Sequence, residues 1–447
     1  MNEKGIVQSS SGKLIQTIPW IVAAEFVITG LFSKTAFGAS RFPKPDFESG
    51  YTIPSLSMHE INLLFSGYTD VAVLLAALVL ATLLVVKWRS RKGLVFLSIF
   101  CLFYFGFIRK GCVCSVGALQ NIALALVDHS YTLPLSLVIF FLLPLVFALF
   151  YGRVFCGSVC PFGAIQDVVL LHPVKIPGWL AGILKQIPVL YLLLTILWVI
   201  TGTGFIICQY DPFIGFFRFT GPAASLILGG VFLIAGIVIA RPYCRFFCPY
   251  GVLLGWLSYV SKWRLQISQG ECIQCRLCED ACPGGALLTP TTGDFPVQKP
   301  GIRRFIISVS LLPVFILLAG LAGSIIAVPI SGLNPQISLY RQVSRESYQN
   351  NREIKPEIEA FLSSKQTKSD LYRQAIAIRK RFVGGGWILG GIFGLIIGLR
   401  IIGLTIIPNR KQFEPDPMQC YHCGRCFNCC PKELTGQGGT DATTGIQ

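Results

Sequence analysis

The sequence predicts an all-α polytopic membrane bundle of about eight transmembrane helices, joined to a small α+β domain that a helical hairpin splits in two. Three observations predict it. Hydrophobic residues make up 53% of the 447 residues and charged residues only 13%, against about 25% charged in a soluble domain. Apolar runs recur at the length needed to cross a bilayer, about 20 residues for ~30 Å of hydrocarbon. Two short cysteine-rich segments of one spacing lie on either side of the last two runs.

The clear spans are 71–86, 133–150, 189–207, 224–240, 305–330 and 383–407. Two weaker ones are 94–108, which is short, and 14–37, which contains Glu25 and lacks a small-residue cleavage site, so it reads as a retained span. A carboxylate inside lipid is costly, which makes Glu25 a candidate for proton passage or a quinol site. Glycines 390, 391, 394, 398 and 403 along the last span point to close helix packing. The net charge of +16 comes from basic residues that flank apolar runs, such as Lys87, Arg89, Arg91, Lys92, Arg303 and Arg304. That is the positive-inside pattern and not a phosphate-binding face, so no nucleic-acid partner is expected. With 87–92 cytoplasmic, successive crossings place both cysteine-rich segments on the cytoplasmic side of the cell membrane. They leave 331–382 outside, with an amphipathic helical stretch at 354–377 and the basic Arg379, Lys380 and Arg381 before the final span.

The first segment is Cys272, Cys275, Cys278, Cys282 and Pro283; the second is Cys420, Cys423, Cys426, Cys430 and Pro431. Each reads C-x2-C-x2-C-x3-C-P, the bacterial ferredoxin run for a [4Fe-4S] cluster. Zinc ribbons use two C-x2-C pairs set well apart. The 17 cysteines are odd in number and cannot all form disulfides. In two-cluster ferredoxins the fourth cysteine of each run ligates the other cluster. The expected sets are therefore Cys272, Cys275, Cys278 with Cys430, and Cys420, Cys423, Cys426 with Cys282, leaving Cys429 spare. The domain plan is a bundle over 1–264, ferredoxin-like halves at 265–300 and 408–434, a transmembrane hairpin over 301–407 and a disordered Gly/Thr-rich tail, 435–447. His422, inside the second run, is expected to face solvent near a cluster. His59, His129, His172 and His422 all lie outside span centres and no C-x-x-C-H occurs, which argues against haem.

A second cysteine family sits at the ends of the apolar runs. Cys156-Gly-Ser-Val-Cys160-Pro161-Phe162-Gly163 and Cys244-Arg-Phe-Phe-Cys248-Pro249-Tyr250-Gly251 share C-x3-C-P-x-G. Cys112-Val-Cys114-Ser115-Val116-Gly117 is a degenerate copy. Gln120 and Gln166 follow six residues after Cys114 and Cys160, and Arg109, Arg153 and Arg241 precede the three blocks. Proline favours the first helical position, so Cys160 and Cys248 fall at helix N-caps, where the helix dipole and arginine favour thiolate. Cys156, Cys160, Cys244 and Cys248 are thus further metal candidates, for a third redox centre in the membrane, a quinone-facing group or a metal clip. The plain alternative is cysteine packing as a small hydrophobe. By the crossing count these four are cytoplasmic, and Cys112, Cys114 and Cys208 lie on the opposite side.

These motifs resemble the membrane iron–sulfur proteins of the NapH/NosR type, which combine C-x3-C-P motifs with ferredoxin-like [4Fe-4S] runs. Residues 152–166 and 241–251 look most like the NosR branch, and the resemblance covers roughly 70–300, with a weaker match at 408–432. It implies electron transfer between cytoplasmic clusters, the quinone pool and an external reductase or flavoprotein partner, as in a quinol dehydrogenase subunit. NosR proteins carry a large external flavin domain ahead of their spans; here that region is only about 30 residues, which puts any flavin on a partner. Ser115 stands where the motif has proline. Two other functions fit the same residues: an accessory or assembly factor that reduces or inserts a metal cofactor for another enzyme, and an ion-coupled redox transporter subunit using Glu25.

Overall fold

The computed structural model describes residues 67–111, 115–128, 131–218, 223–267, 272–291, 302–346, 361, 367–405, 410 and 412–431. The run 14–37 with Glu25, Cys112, Cys114 and the tail 435–447 lie outside them. Five described helices are long and apolar enough to cross a membrane: Gly67–Val86 (α1), Arg91–Ile108 (α2), Gly178–Ile200, Ile302–Ser331 and Lys368–Thr405. Shorter apolar helices are Ser115–Val127 (α3), Leu135–Tyr151 (α4) and Ala223–Val238. The ends follow from local chemistry. Ser90 caps α2, its hydroxyl accepting from the Gly93 N–H at 3.3 Å. Gly152, at φ 77°, closes α4 in a conformation that a side chain would strain.

The chain forms two compact units. One holds Val189–Ile206 and the hairpin made by Leu312–Ser331 and Lys368–Thr405. Glycines set the hairpin spacing: a Cβ on Gly390 would strike the Ala319 carbonyl, and one on Gly394 the Phe315 carbonyl. Gly386 faces Gly323 in the same way, whereas Gly403 meets nothing. Leu197 packs with Ala327 and Phe382, and Asn334 donates to Thr203 Oγ1 at 3.0 Å, so the 189–206 segment is a third member of this unit. The stretch 331–382 holds the helix Pro335–Glu346 and the start of Lys368–Thr405. Arg379, Lys380 and Arg381 therefore continue a helix into the apolar stretch instead of ending a loop. Residues 354–360 and 362–366 of the expected amphipathic stretch lie outside the described residues.

The other unit holds the remaining bundle helices and both ferredoxin runs. Asp70, fully buried in α1, pairs with Arg109 and accepts from the Tyr104 hydroxyl at 3.1 Å, which satisfies a carboxylate inside an apolar helix. After each complete C-x3-C-P block a helix starts at proline: Pro161–Val169 (α5) and Pro249–Val260 (α6). Leu287–Leu288 (β1) pairs antiparallel with Glu414–Pro415 (β2), in the register Leu287 to Pro415 and Leu288 to Glu414. This small ladder joins segments that lie on either side of the hairpin in sequence.

Candidate metal centre

The two ferredoxin runs adopt one backbone. Gln274 and Arg276 sit at φ 54° and 62°, and His422 and Gly424 at 57° and 75°, the third and fifth positions of each run. A left-handed conformation costs a non-glycine residue about 1–2 kcal/mol, so its recurrence at three such positions marks a turn that the neighbouring cysteines require. A short helix follows each turn, Leu277–Ala281 and Arg425–Asn428, and the two helices pack together. Cys272, Cys275 and Cys278 line one cavity, and Cys430 of the other run lines it with them. Cys282 lies near enough to Cys420, Cys423 and Cys426 for their charges to couple. The Asp416 N–H donates to the Ala286 carbonyl at 2.8 Å beside the ladder.

No three His, Cys, Asp or Glu side chains among the described residues converge tightly enough to hold a single metal ion. A zinc tetrahedron with bonds of about 2.3 Å would bring its sulfurs within about 4 Å of one another. A cube carries its thiolates on its outside and spaces them more widely.

Cys156, Cys160, Cys244 and Cys248 converge as a second group, with Cys160 coupled electrostatically to the other three. Pro161 and Pro249 open their helices as expected, and Cys248 Sγ accepts the Gly251 N–H at 3.3 Å. In the free thiols burial opposes the expected bias toward thiolate. Burial pushes Cys244 up to about 12 and raises Cys160 and Cys248 well above the ordinary thiol value, outweighing the helix ends and the arginines. A cation that displaced those protons would face two buried guanidinium groups. Arg153, 5% exposed, reaches Cys156 Sγ at 3.9 Å. Arg241, 3% exposed, pairs with Asp167, donates to the Gly157 carbonyl at 2.8 Å and also donates to the Cys156 carbonyl. Gln166 accepts the Tyr243 N–H at 3.0 Å and donates to Cys244 Sγ at 3.4 Å.

The second ferredoxin run is docked on this group. The Tyr421 ring lies 4.6 Å from the Arg153 guanidinium and 5.3 Å from that of Arg241. Arg153 also donates to the Met418 carbonyl at 2.8 Å, and Ser258 to that of Pro417 at 2.7 Å. A Cβ on Gly157 would overlap the Tyr421 carbonyl, so only glycine fits between Cys156 and Ser158. His422 corrects the sequence reading: it is 2% exposed, packed on Gly152, and its Nε2 accepts the Leu265 N–H at 3.4 Å. Burial first, and then Arg153, hold its pKa down to about 4, so it is the neutral ring that this hydrogen bond needs.

The segment of Cys208, expected on the opposite side, lies close to the four cysteines in the fold. Ser115 and Tyr250 donate to adjacent carbonyls of α4, Phe140 and Phe141. One cavity is lined by Gly111, Ser115 and Val116 together with Cys160, Pro161 and Phe162. The Phe213 ring lies 5.6 Å from Phe162 and 5.3 Å from Tyr243. The degenerate block and the Cys208 segment therefore adjoin the four cysteines. At 13 and 9 residues, α3 and α5 are too short to cross ~30 Å, which lets segments expected on opposite sides meet between them.

Comparison with known proteins agrees with these groupings. A family model described as a 4Fe-4S binding domain matches residues 133–180 and again 220–268, one complete C-x3-C-P block in each copy. A second 4Fe-4S binding domain matches 265–288, over the first ferredoxin run. MJ0750 of Methanocaldococcus jannaschii is 32% identical over 225 residues, which is 47% of this chain and 83% of that protein. The chain belongs to its family, the membrane iron–sulfur electron-transport proteins of the NapH/NosR type. MJ0749 of the same organism is 29% identical over 33% of this chain and 58% of its own length. YccM of Escherichia coli, provisionally described as an electron transport protein, is 28% identical over 31% of this chain and 43% of its own length. The chain thus spans about half the length of these last two. No solved structure matches it. Two site residues escaped the sequence reading. Asp167 was signalled only by its place beside Gln166, and Tyr421 only as an aromatic residue between cysteines.

Proposed function

We propose that this membrane iron–sulfur protein carries three redox centres in series and passes electrons between the cytoplasmic side and a quinone or an external flavoprotein or reductase partner. Two would be [4Fe-4S] clusters in a ferredoxin-like domain split by the hairpin, on Cys272, Cys275, Cys278 and Cys430, and on Cys420, Cys423, Cys426 and Cys282. The third would sit on Cys156, Cys160, Cys244 and Cys248. When bound, the clusters supply the one-electron chemistry. The chain fixes their places and balances their charge. Arg153 and Arg241 lie beside the group, in which Cys156, Cys244 and Cys248 are buried and Cys160 half-buried, and Asp167 holds Arg241 in place. The surrounding aromatic residues, Phe162, Tyr243 and Tyr250, exclude water.

The observation that carries this reading is Tyr421. It follows a ferredoxin-run cysteine directly and packs against both arginines of the C-x3-C-P group. That contact supports a reading in which the two cysteine systems lie along one path. The crossed ligand sets draw support from Cys430 lining the Cys272 cavity and from Cys282 neighbouring the second run. Iron and acid-labile sulfide analysis of anaerobically purified protein tests the count. About twelve irons per chain are expected, falling to about eight in Cys244→Ser. A count of about eight that Cys244→Ser leaves unchanged removes the third centre. Redox titration with a quinol then tests the exit: clusters that quinol cannot reduce and quinone cannot oxidise rule out the quinone route.

A further inference from the structure

The degenerate block has a partner in the fold. In sequence, Cys-Ser-Val-Gly-Ala-Leu-Gln at 114–120 repeats Cys-Pro-Phe-Gly-Ala-Ile-Gln at 160–166. In the fold the repeat extends to what each glutamine grips. Gln166 accepts the N–H of Tyr243, the residue before Cys244, at 3.0 Å. Gln120 accepts the N–H of Ile207, the residue before Cys208, at 3.0 Å, and that of Cys208 at 3.3 Å. Cys208 thus takes the place of Cys244. A Cβ on Gly117 would stand 3.4 Å from Cys208 Sγ, so that sulfur lies over the turn that opens α3.

The correspondence continues downstream. Cys244-x3-Cys248-Pro249-Tyr250 matches Cys208-x2-Asp211-Pro212-Phe213. Cys248 Sγ accepts the Gly251 N–H at 3.3 Å. Asp211 Oδ1 accepts those of Phe213 at 2.9 Å and Ile214 at 3.1 Å. A carboxylate has replaced a thiol at the same position before proline.

Two polar atoms are then left over. Asp211 is 3% exposed and Gln120 fully buried, and among the described residues Asp211 Oδ2 and Gln120 Nε2 have no hydrogen-bond partner. In the complete copy the matching amide nitrogen of Gln166 donates to a cysteine sulfur at 3.4 Å. Buried groups of this kind are normally satisfied, and an unpaired buried carboxylate is the costliest of them.

We propose that Cys208 and Asp211, oriented by Gln120, ligate a further thiophilic metal centre, a mixed sulfur–oxygen counterpart of the four-cysteine one. In the sequence repeat Cys114 corresponds to Cys160; it and Cys112 lie outside the described residues. The rings of Phe162, Phe213 and Tyr243 pack on one another beside both groups, with centroids 5.3–6.0 Å apart. A centre here would be the next station for an electron after the four cysteines.

The inference rests on the reading of the four cysteines as a metal site, and separate variants score the two. The test is iron and zinc content, with Mössbauer and electron paramagnetic resonance spectra, of the full chain purified under argon. Cys208→Ser and Asp211→Asn should each lose the same complement, about four irons, with the signals lost in Cys275→Ala, Cys423→Ala and Cys244→Ser all retained. Asp211→Asn is isosteric and keeps its capping oxygen, so it separates ligation from folding. Asp211→Cys should keep the metal and change its spectrum. Unchanged metal content and spectra in both Cys208→Ser and Asp211→Asn overturn the proposal. So does loss of the Cys244-dependent signal in Asp211→Asn, which would mark a packing role. Loss of metal in Cys208→Ser but none in Cys244→Ser would leave this site standing and remove the four-cysteine one.

Discussion

In a ferredoxin run three cysteines fall within seven residues, and left-handed turns at the third and fifth positions shape the donor set locally. In the C-x3-C-P blocks each segment brings only two cysteines, and the group closes when 156–160 meets 244–248, about 80 residues on. The first arrangement is written into spacing. The second depends on buried arginines, a glutamine and glycines that let two segments approach. Ligand changes should therefore act one cluster at a time in the runs, whereas changes to the supporting residues should matter most in the blocks.

The largest effects test the crossed pairing. Cys282→Ser should abolish the same cluster signal as Cys423→Ser and spare the one lost in Cys275→Ala; Cys430→Ser should do the reverse. Electron paramagnetic resonance of the reduced protein reads this directly. If Cys282→Ser instead removes the Cys275-dependent signal, each run holds its own cluster and the halves are merely packed together.

Arg241→Met comes next. It strands the Asp167 carboxylate and the Cys156 and Gly157 carbonyls that Arg241 serves. Removing one partner of a fully buried pair costs about 3–5 kcal/mol, and the cost here is smaller because the Asp167 side chain is 30% exposed. Thermal unfolding in detergent should shift strongly, with loss of the Cys244-dependent iron. Lysine at this position should rescue little, because a single ammonium cannot serve the carboxylate and two carbonyls at once. A fully stable Arg241→Met would mean that the guanidinium is not what holds the two blocks together.

Gly157→Ala probes the same junction from the backbone. Its methyl group would overlap the Tyr421 carbonyl, and overpacking of this kind costs about 1–3 kcal/mol. All three sets of iron should remain, with slower electron exchange between the ferredoxin and C-x3-C-P groups in rapid-mixing experiments. Tyr421→Leu should have a milder form of the same effect, since a cation–π contact contributes roughly 0.5–2 kcal/mol.

The same contrast explains what could be read from sequence. The apolar runs and the C-x2-C-x2-C-x3-C-P spacing depend on neighbours in the chain, so the helices and run cysteines were legible. Pro161 and Pro249 marked helix starts for the same local reason. His422 was misread because polar residues in loops are usually wet, and nothing local announced that Gly152 and Leu265 would enclose it. The nearness of Cys208 to the four cysteines was not legible, because α3 and α5 are too short for complete crossings and let distant segments meet. Asp211 carried no signal until Gln120 was seen to hold the segment beside it, since an Asp-Pro step ordinarily reads as a turn.

The smallest effect sets the scale for the rest. Lys175 and Asp280 form an ion pair at 2.8 Å, like Arg241 and Asp167 in chemistry, but with side chains 54% and 74% exposed. Water screens such a pair, so it adds little to stability. The pair holds Asp280 below the usual carboxylate value and Lys175 above the usual ammonium value. Any contribution from Asp280 is present above its unfolded pKa and fades as pH falls through the lower folded one. Any contribution from Lys175 is present below its unfolded pKa and fades as pH rises through the higher folded one. Between roughly pH 5 and 9 both are constant. Lys175→Ala should therefore leave the melting temperature and the Cys275-dependent signal unchanged across that range. It should only raise the Asp280 pKa toward the ordinary value, as carboxyl chemical shifts would report. A loss of iron in Lys175→Ala would show that docking of the first run, unlike that of the second, hangs on a surface charge.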